Sequence, residues 1–396
     1  MVLIYAATPL KRADTSIPTF DVSNSPSYSY TRSLWNIVWS CCLTIFACTW
    51  TAIHPNIPGI NESKFAKMIR RILLMVLAMM APELMITWAT RQFFSARKTA
   101  KEVTGWGMTH GFFAWMGGFM LYVNDEQRAT LTPNELLQFV REGLVDMPAI
   151  TEAEIDDRSK DDGLSKSVAI LQLAWFVSQL VARYVQRLPM TLLEIDTLSV
   201  AALTCICYVL WWKKPKDVGL PYKVHWKGAT LPGELTYEKS HPRWDPIVHP
   251  LDSIMSNRVL ISPWAVRSRR VPSLGGYGES HAKLTLLLGC SSGMVFGGIH
   301  YLGWNYSFGF QLNWRAVALL MTCVPIIFLL AVGYDMWRGD NSVSRNKKGV
   351  FVIGVFTVLM YFILRGILIA YTIKSLQSLP PGIYDTVAWT EYIPHL

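Results

Sequence analysis

Long unbroken apolar runs constrain this chain more than any other feature. The stretch 34–53 (LWNIVWSCCLTIFACTWTAI) carries no charge, and 349–373 (GVFVIGVFTVLMYFILRGILIAYTI) carries a single arginine. A bilayer core of about 30 Å needs about 20 helical residues, so runs of this length read as membrane spans. Only helices satisfy their own backbone groups in lipid at such lengths. Charged residues make up 16% of the chain, against roughly 25% in an ordinary soluble protein. That balance excludes a disordered chain, a collagen-like chain and a small disulfide scaffold. The expected class is an all-α, polytopic transmembrane helical bundle.

Seven spans are expected, at about 34–53, 72–90, 168–187, 192–212, 284–304, 316–334 and 349–373. They divide the chain into a tail (1–33), spans 1–2 (34–90), a loop domain (91–166), a span hairpin (167–212), a basic loop (213–283), spans 5–7 (284–373) and a second tail (374–396). In this arrangement 28 of the 37 lysines and arginines fall on one side. Basic loops are retained in the cytoplasm. The charge therefore predicts a cytoplasmic tail 1–33, two sizeable cytoplasmic loops and an outer tail 374–396. Two N-x-S/T sequons, at Asn61 and Asn305, fall on the predicted outer side and are the potential glycosylation sites. The N-terminal MVLIYAATPLKR lacks the charged start and long apolar core of a cleaved signal peptide. The first span then acts as the targeting signal, and the destination is a secretory-pathway membrane (endoplasmic reticulum or plasma membrane). The segment 107–123 (GMTHGFFAWMGGFMLYV) holds four glycines in 17 residues. It is expected to form a hairpin or interfacial element rather than an eighth span.

The loops carry local signals but no cofactor motif. Thr132-Pro133-Asn134-Glu135 and Thr151-Glu152-Ala153-Glu154 each read as the start of a capped helix. The seven cysteines lie in apolar stretches without CxxC spacing, and the histidines of 213–283 match no metal-ligand spacing. SLGGYGES (273–280) lacks the GK[ST] ending of a phosphate loop. No metal, no cofactor and no nucleic-acid partner is expected; the expected partners are the lipid bilayer and a lipophilic small molecule.

Polar residues inside spans are the best pointers to chemistry, because charge in hydrocarbon is costly and is either paired or functional. Arg183 and Glu194 flank the short turn at Leu188-Pro189, so they should sit at similar depth. Arg183 is expected either to pair with Glu194 or to bind substrate, while Glu194 and Asp196 form a second acidic centre. Glu83 follows Pro82, which tends to kink a helix. Glu83 reads either as a proton donor to a lipophilic substrate or as a carboxyl bonded to a neighbouring helix. Arg365 needs a partner, with Glu194 or Asp196 nearest in depth. His300 and the deep Trp175 complete the candidate substrate-binding group. Gly289, Gly293 and Gly297, spaced by four, form a smooth face for close helix approach.

The segments SLWNIVWSCCLTIFACTWTAIHPNIPG (33–59), MAPELMITWATRQ (80–92), THGFFAWMGGFMLY (109–122), LSKSVAILQLAWFVSQLVARYVQRLPMTLLEIDTL (164–198) and WWKKPKDV (211–218) together resemble a widespread family of fungal multi-pass membrane proteins. Residues 33–218 carry the resemblance. It implies a fungal membrane protein, with secondary-metabolite biosynthesis as a setting by analogy. It brings no activity and no catalytic residue. The leading expectation is a protein acting on an isoprenoid-like molecule, with Glu83, Glu194 and Asp196 as acid–base groups. The alternative is a non-catalytic transporter, receptor or scaffold.

Overall fold

A computed structural model describes residues 31–159, 163–238, 266–278, 281–304, 311–338 and 345–387. In chain order, α1 (Leu34–Ala52) leads to the pair α2 (Lys64–Met80) and α3 (Pro82–Glu102). A small mixed unit follows: α4 (Met108–Trp115), β1 (Phe119–Val123), β2 (Glu126–Thr130), α5 (Pro133–Arg141) and α6 (Glu152–Arg158). Then come α7 (Gly163–Val185), α8 (Leu192–Leu210), β3 (Tyr222–His225), α9 (Ala282–Ile299), α10 (Gln311–Arg338) and α11 (Arg345–Ser375). Six of these helices (α1 and α7 to α11) are long and apolar enough to cross a membrane.

The expected second span is not one helix. Pro82 has no N–H to continue the α2 ladder but suits the first position of a new helix. The chain accordingly breaks at Ala81 and turns by 112° between α2 and α3. Both ends of the pair meet the same small unit. At the start of α2, Arg71 binds Asp217 at 2.5 Å, and Glu62 lies 3.8 Å from Arg270. At the end of α3, Thr99 accepts from Trp115 Nε1 at 2.9 Å, and the Gly278 N–H donates to Ser95 Oγ.

The mixed unit takes up the doubtful segment 107–123. Its eight-residue helix and five-residue strand are buried there, with Phe113, Phe119 and Leu121 at 0–1% exposure. The sheet has the order β2-β1-β3; β1 runs antiparallel to β2 and parallel to β3. Both Thr-x-x-Glu motifs form reciprocal caps, Thr132 with Glu135 and Thr151 with Glu154. The stretch 271–278 straps onto α3, Gln92 Nε2 donating to Gly275 O at 2.6 Å. Gly276 has φ +75°, and a Cβ there would strike the Trp115 carbonyl.

At the far end of the bundle the first described residues meet the last ones. Thr31 pairs with Asp385 in an antiparallel bridge, and Arg32 donates from its backbone to Tyr384 O at 2.8 Å. The described residues of the tails 1–33 and 374–396, expected on opposite sides, thus lie side by side. The sequon argument also changes. Asn61 lies between α1 and α2 beside the small unit, and Asn305 lies outside the described residues. Trp88, Trp211 and Trp314, close to the ends of expected spans, are interior, at 0–2% exposure. The glycine face of α9 packs as expected. A Cβ on Gly289 would come 2.6 Å from Thr87 Oγ1 of α3, and one on Gly297 would strike Thr322 of α10.

Candidate functional site

A cavity of about 360 Å³ lies between α3, α9, α10 and α11. Its walls are chiefly apolar, with Leu286, Val324, Phe328 and Phe362 among them. Pro325 and Gly293 shape one wall, the glycine letting α9 approach the proline ring. Into this space the α2–α3 break delivers Glu83, in the first turn of α3. Glu83 is 7% exposed, and apart from the Tyr361 hydroxyl its carboxyl oxygens have no hydrogen-bonding neighbour. Tyr361 of α11 stands beside it on the same wall, and the phenol and the carboxyl face each other. An unsatisfied buried polar group costs about 1–3 kcal/mol, so a carboxyl with one polar neighbour calls for an explanation.

Glu83 is the one sequence-derived candidate that lines this cavity. Asp196 sits on α8 and accepts from Arg365 Nη1 at 2.6 Å, with His300 Nε2 3.5 Å away. Arg365 is fully buried, rests over the Phe296 ring at 4.1 Å and donates to Met79 O at 2.8 Å. The expected Arg365–Asp196 pair is therefore present. It ties the end of α2 to α8 and α11.

The expected Arg183–Glu194 pair is replaced by two separate locks. Arg183 donates to the carbonyls of Pro189, Ile383 and Asp385. Glu194 closes a capping box with Thr191 and pairs with Arg32, a residue that span-depth reasoning left in the tail. Glu194 is thus turned to the far end of the bundle, engaged in the helix start. Trp175 is 55% exposed on the outer face of α7. Sequence reasoning missed Thr285, Lys283 and Cys290, which line the cavity; their spacing carries no signal without knowledge of which helices meet.

A second buried polar centre joins the bundle to the mixed unit. Lys214, just beyond α8, donates from Nζ to His54 O at 2.6 Å, and to Asn56 Oδ1 and Gln92 Oε1 at 2.9 Å. Its ammonium lies 4.9 Å from the Trp211 ring centroid. Burial pulls the Lys214 pKa down to about 7. Burial likewise pulls His54 down to about 3, leaving its ring neutral beside the Ala52 carbonyl. All polar partners of this centre are used internally, which makes it a joint rather than a ligand site.

The model of one protein family matches residues 2–229. The chain belongs to that family, a family of unknown function (DUF8562). The match covers α1 to α8 and β3, hence Glu83, the Asp196 side of the buried ion pair and the Lys214 centre. The helices α9 to α11, which supply the other walls of the cavity, lie beyond it. No curated protein and no solved structure matches the chain.

Proposed function

We propose that this protein is a polytopic membrane protein that holds a lipophilic small molecule in the cavity beside Glu83, with that carboxyl giving or relaying a proton. The observation that carries the reading is the buried Glu83 carboxyl, with Tyr361 as its one polar neighbour, on a chiefly apolar wall. A carboxyl out of water holds its proton and can then act as an acid toward a bound molecule. Glu194 and Asp196 have structural partners, so the proposal drops them as acid–base groups and rests on Glu83 alone. The isoprenoid-like substrate and the biosynthetic setting remain part of this proposal.

The topology we propose has six crossings, with α2 and α3 entering and leaving on the side of the mixed unit. The basic residues Lys213, Lys214, Lys216, Arg97, Lys98 and Lys101 lie on that side, which argues that it is cytoplasmic. A transporter is the second reading, favoured by the broken pair α2–α3 that ends beside the cavity.

Deletion of the protein in its host, complemented with wild type or Glu83→Gln and followed by metabolite profiling, tests the proposal. Loss of a late product with build-up of its precursor, in the deletion and with Glu83→Gln, is the expected result. Full restoration by Glu83→Gln would remove the acid–base role, and intracellular build-up of finished product would favour the transporter.

A further inference from the structure

The polar groups of the cavity fall at two levels with an apolar stretch between them. Two hydroxyls on its walls are already used: Thr87 donates to Glu83 O at 2.9 Å and Thr357 to Ile353 O at 2.8 Å. The Glu83 carboxyl and the Tyr361 hydroxyl have no hydrogen-bond partner beyond each other, and the Thr285 hydroxyl has none. These three residues are 7%, 8% and 2% exposed. Glu83 and Tyr361 form the deep level. Thr285 forms the other, in the first turn of α9, with Lys283 exposed on the same rim.

The helices themselves set the separation. Gly289 meets Thr87, which fixes the level at which α9 crosses α3. Glu83 lies four residues deeper on α3, and Thr285 four residues nearer the mixed unit on α9. Eight residues at 1.5 Å each place the two levels about 12 Å apart along the bundle axis. Between them the walls are Leu286, Val324, Phe328 and Val358. An apolar cavity of this kind stays dry along its middle, so water alone does not answer the polar groups at both ends.

We propose that the ligand is an unbranched or isoprenoid chain with a polar group at each end: an anion at Lys283 and Thr285, and a hydroxyl at Glu83 and Tyr361. This rests on the cavity being the ligand site and adds the chemistry of the occupant. A hydroxyl both donates and accepts, which suits a protonated carboxyl and a phenol side by side. Carboxylate and phosphate share the rim chemistry.

The full-length protein in phosphatidylcholine nanodiscs tests this by competition against a diazirine-bearing long-chain alcohol, with the crosslinked peptide mapped. The competitors are decanoic acid, decanol, decyl phosphate and ω-hydroxydecanoic acid. The ω-hydroxy acid should compete about tenfold better than decanoic acid, as two added hydrogen bonds allow. Glu83→Leu, which keeps an apolar wall, should erase that gain while leaving decanoic acid unchanged. Lys283→Gln, at an exposed position, should weaken both acids and the phosphate several-fold without affecting decanol. Decanoic acid and decyl phosphate compared in wild type separate the two anions. Equal competition by decanoic and ω-hydroxydecanoic acids, or a gain that survives Glu83→Leu, would overturn the two-ended ligand while leaving the cavity reading in place. Crosslinking that never maps to α9–α11 would defeat the cavity reading itself.

Discussion

Thr31 and Asp385, near opposite ends of the chain, are bridged to each other at the end of the bundle away from the mixed unit. An even number of crossings is the simplest path that brings them there. Tags fused at the two chain ends should therefore behave alike in sealed microsomes treated with protease, both shielded or both digested. One protected and one digested tag would refute the six-crossing path and restore an odd count.

The buried Arg365–Asp196 pair leads to a stability prediction. Removing one partner strands the other charge away from water, at a cost of about 3–5 kcal/mol. Asp196→Leu should sharply lower the melting temperature of the detergent-solubilised protein. Arg365→Met combined with Asp196→Leu should recover most of the loss. A double variant as unstable as the single one would mean that the Met79 and Phe296 contacts of Arg365 matter more than its charge partner.

Lys214 predicts a pH dependence. Its pKa is about 7 in the folded protein and 10.5 in an ordinary setting. Between those values the unfolded chain holds a proton that the folded one has released, so stability from this residue rises with pH from about 7 to about 10.5. Thermal unfolding measured across that window should show a steeper rise in wild type than in Lys214→Met. Parallel curves would show that the lysine titrates normally.

The contact at Gly297 is tight enough to test by one methyl group. A Cβ there meets the Thr322 side chain and lies 2.9 Å from its backbone nitrogen. Gly297→Ala should cost about 1–3 kcal/mol through overpacking, while Gly298→Ala, which meets nothing within 4 Å, should be near neutral. Equal effects at the two positions would show that the Thr322 contact yields without cost, since helix propensity favours alanine at both.

Much of the helical frame could be read from the sequence, since apolar length and caps are local properties. The runs at α1, α8, α10 and α11 needed nothing beyond composition, and Thr132 and Thr151 each announced a helix start. Pro82 signalled a kink. What it could not convey was a reversal, because only contacts with Asp217 and Trp115 show that both ends of α2–α3 return to one unit. The charge count took α2–α3 as one straight crossing, and so did not anticipate that Thr31 and Asp385 lie side by side. Arg365 with Asp196 was legible because intramembrane charges have few possible partners. Arg32 escaped because it sits outside any span, and Thr285 because a hydroxyl becomes notable only when its helix neighbours leave it without a partner.

β1 and β3 are neighbours in one sheet, yet the whole α7–α8 hairpin lies between them in the chain. During synthesis the third strand emerges only after that hairpin. If the hairpin must enter the bilayer for Tyr222–His225 to reach Phe119–Tyr122, then completion of the sheet waits upon insertion. A ribosome-bound chain stalled before residue 222 would carry β1 as an open strand edge, able to pair with another chain.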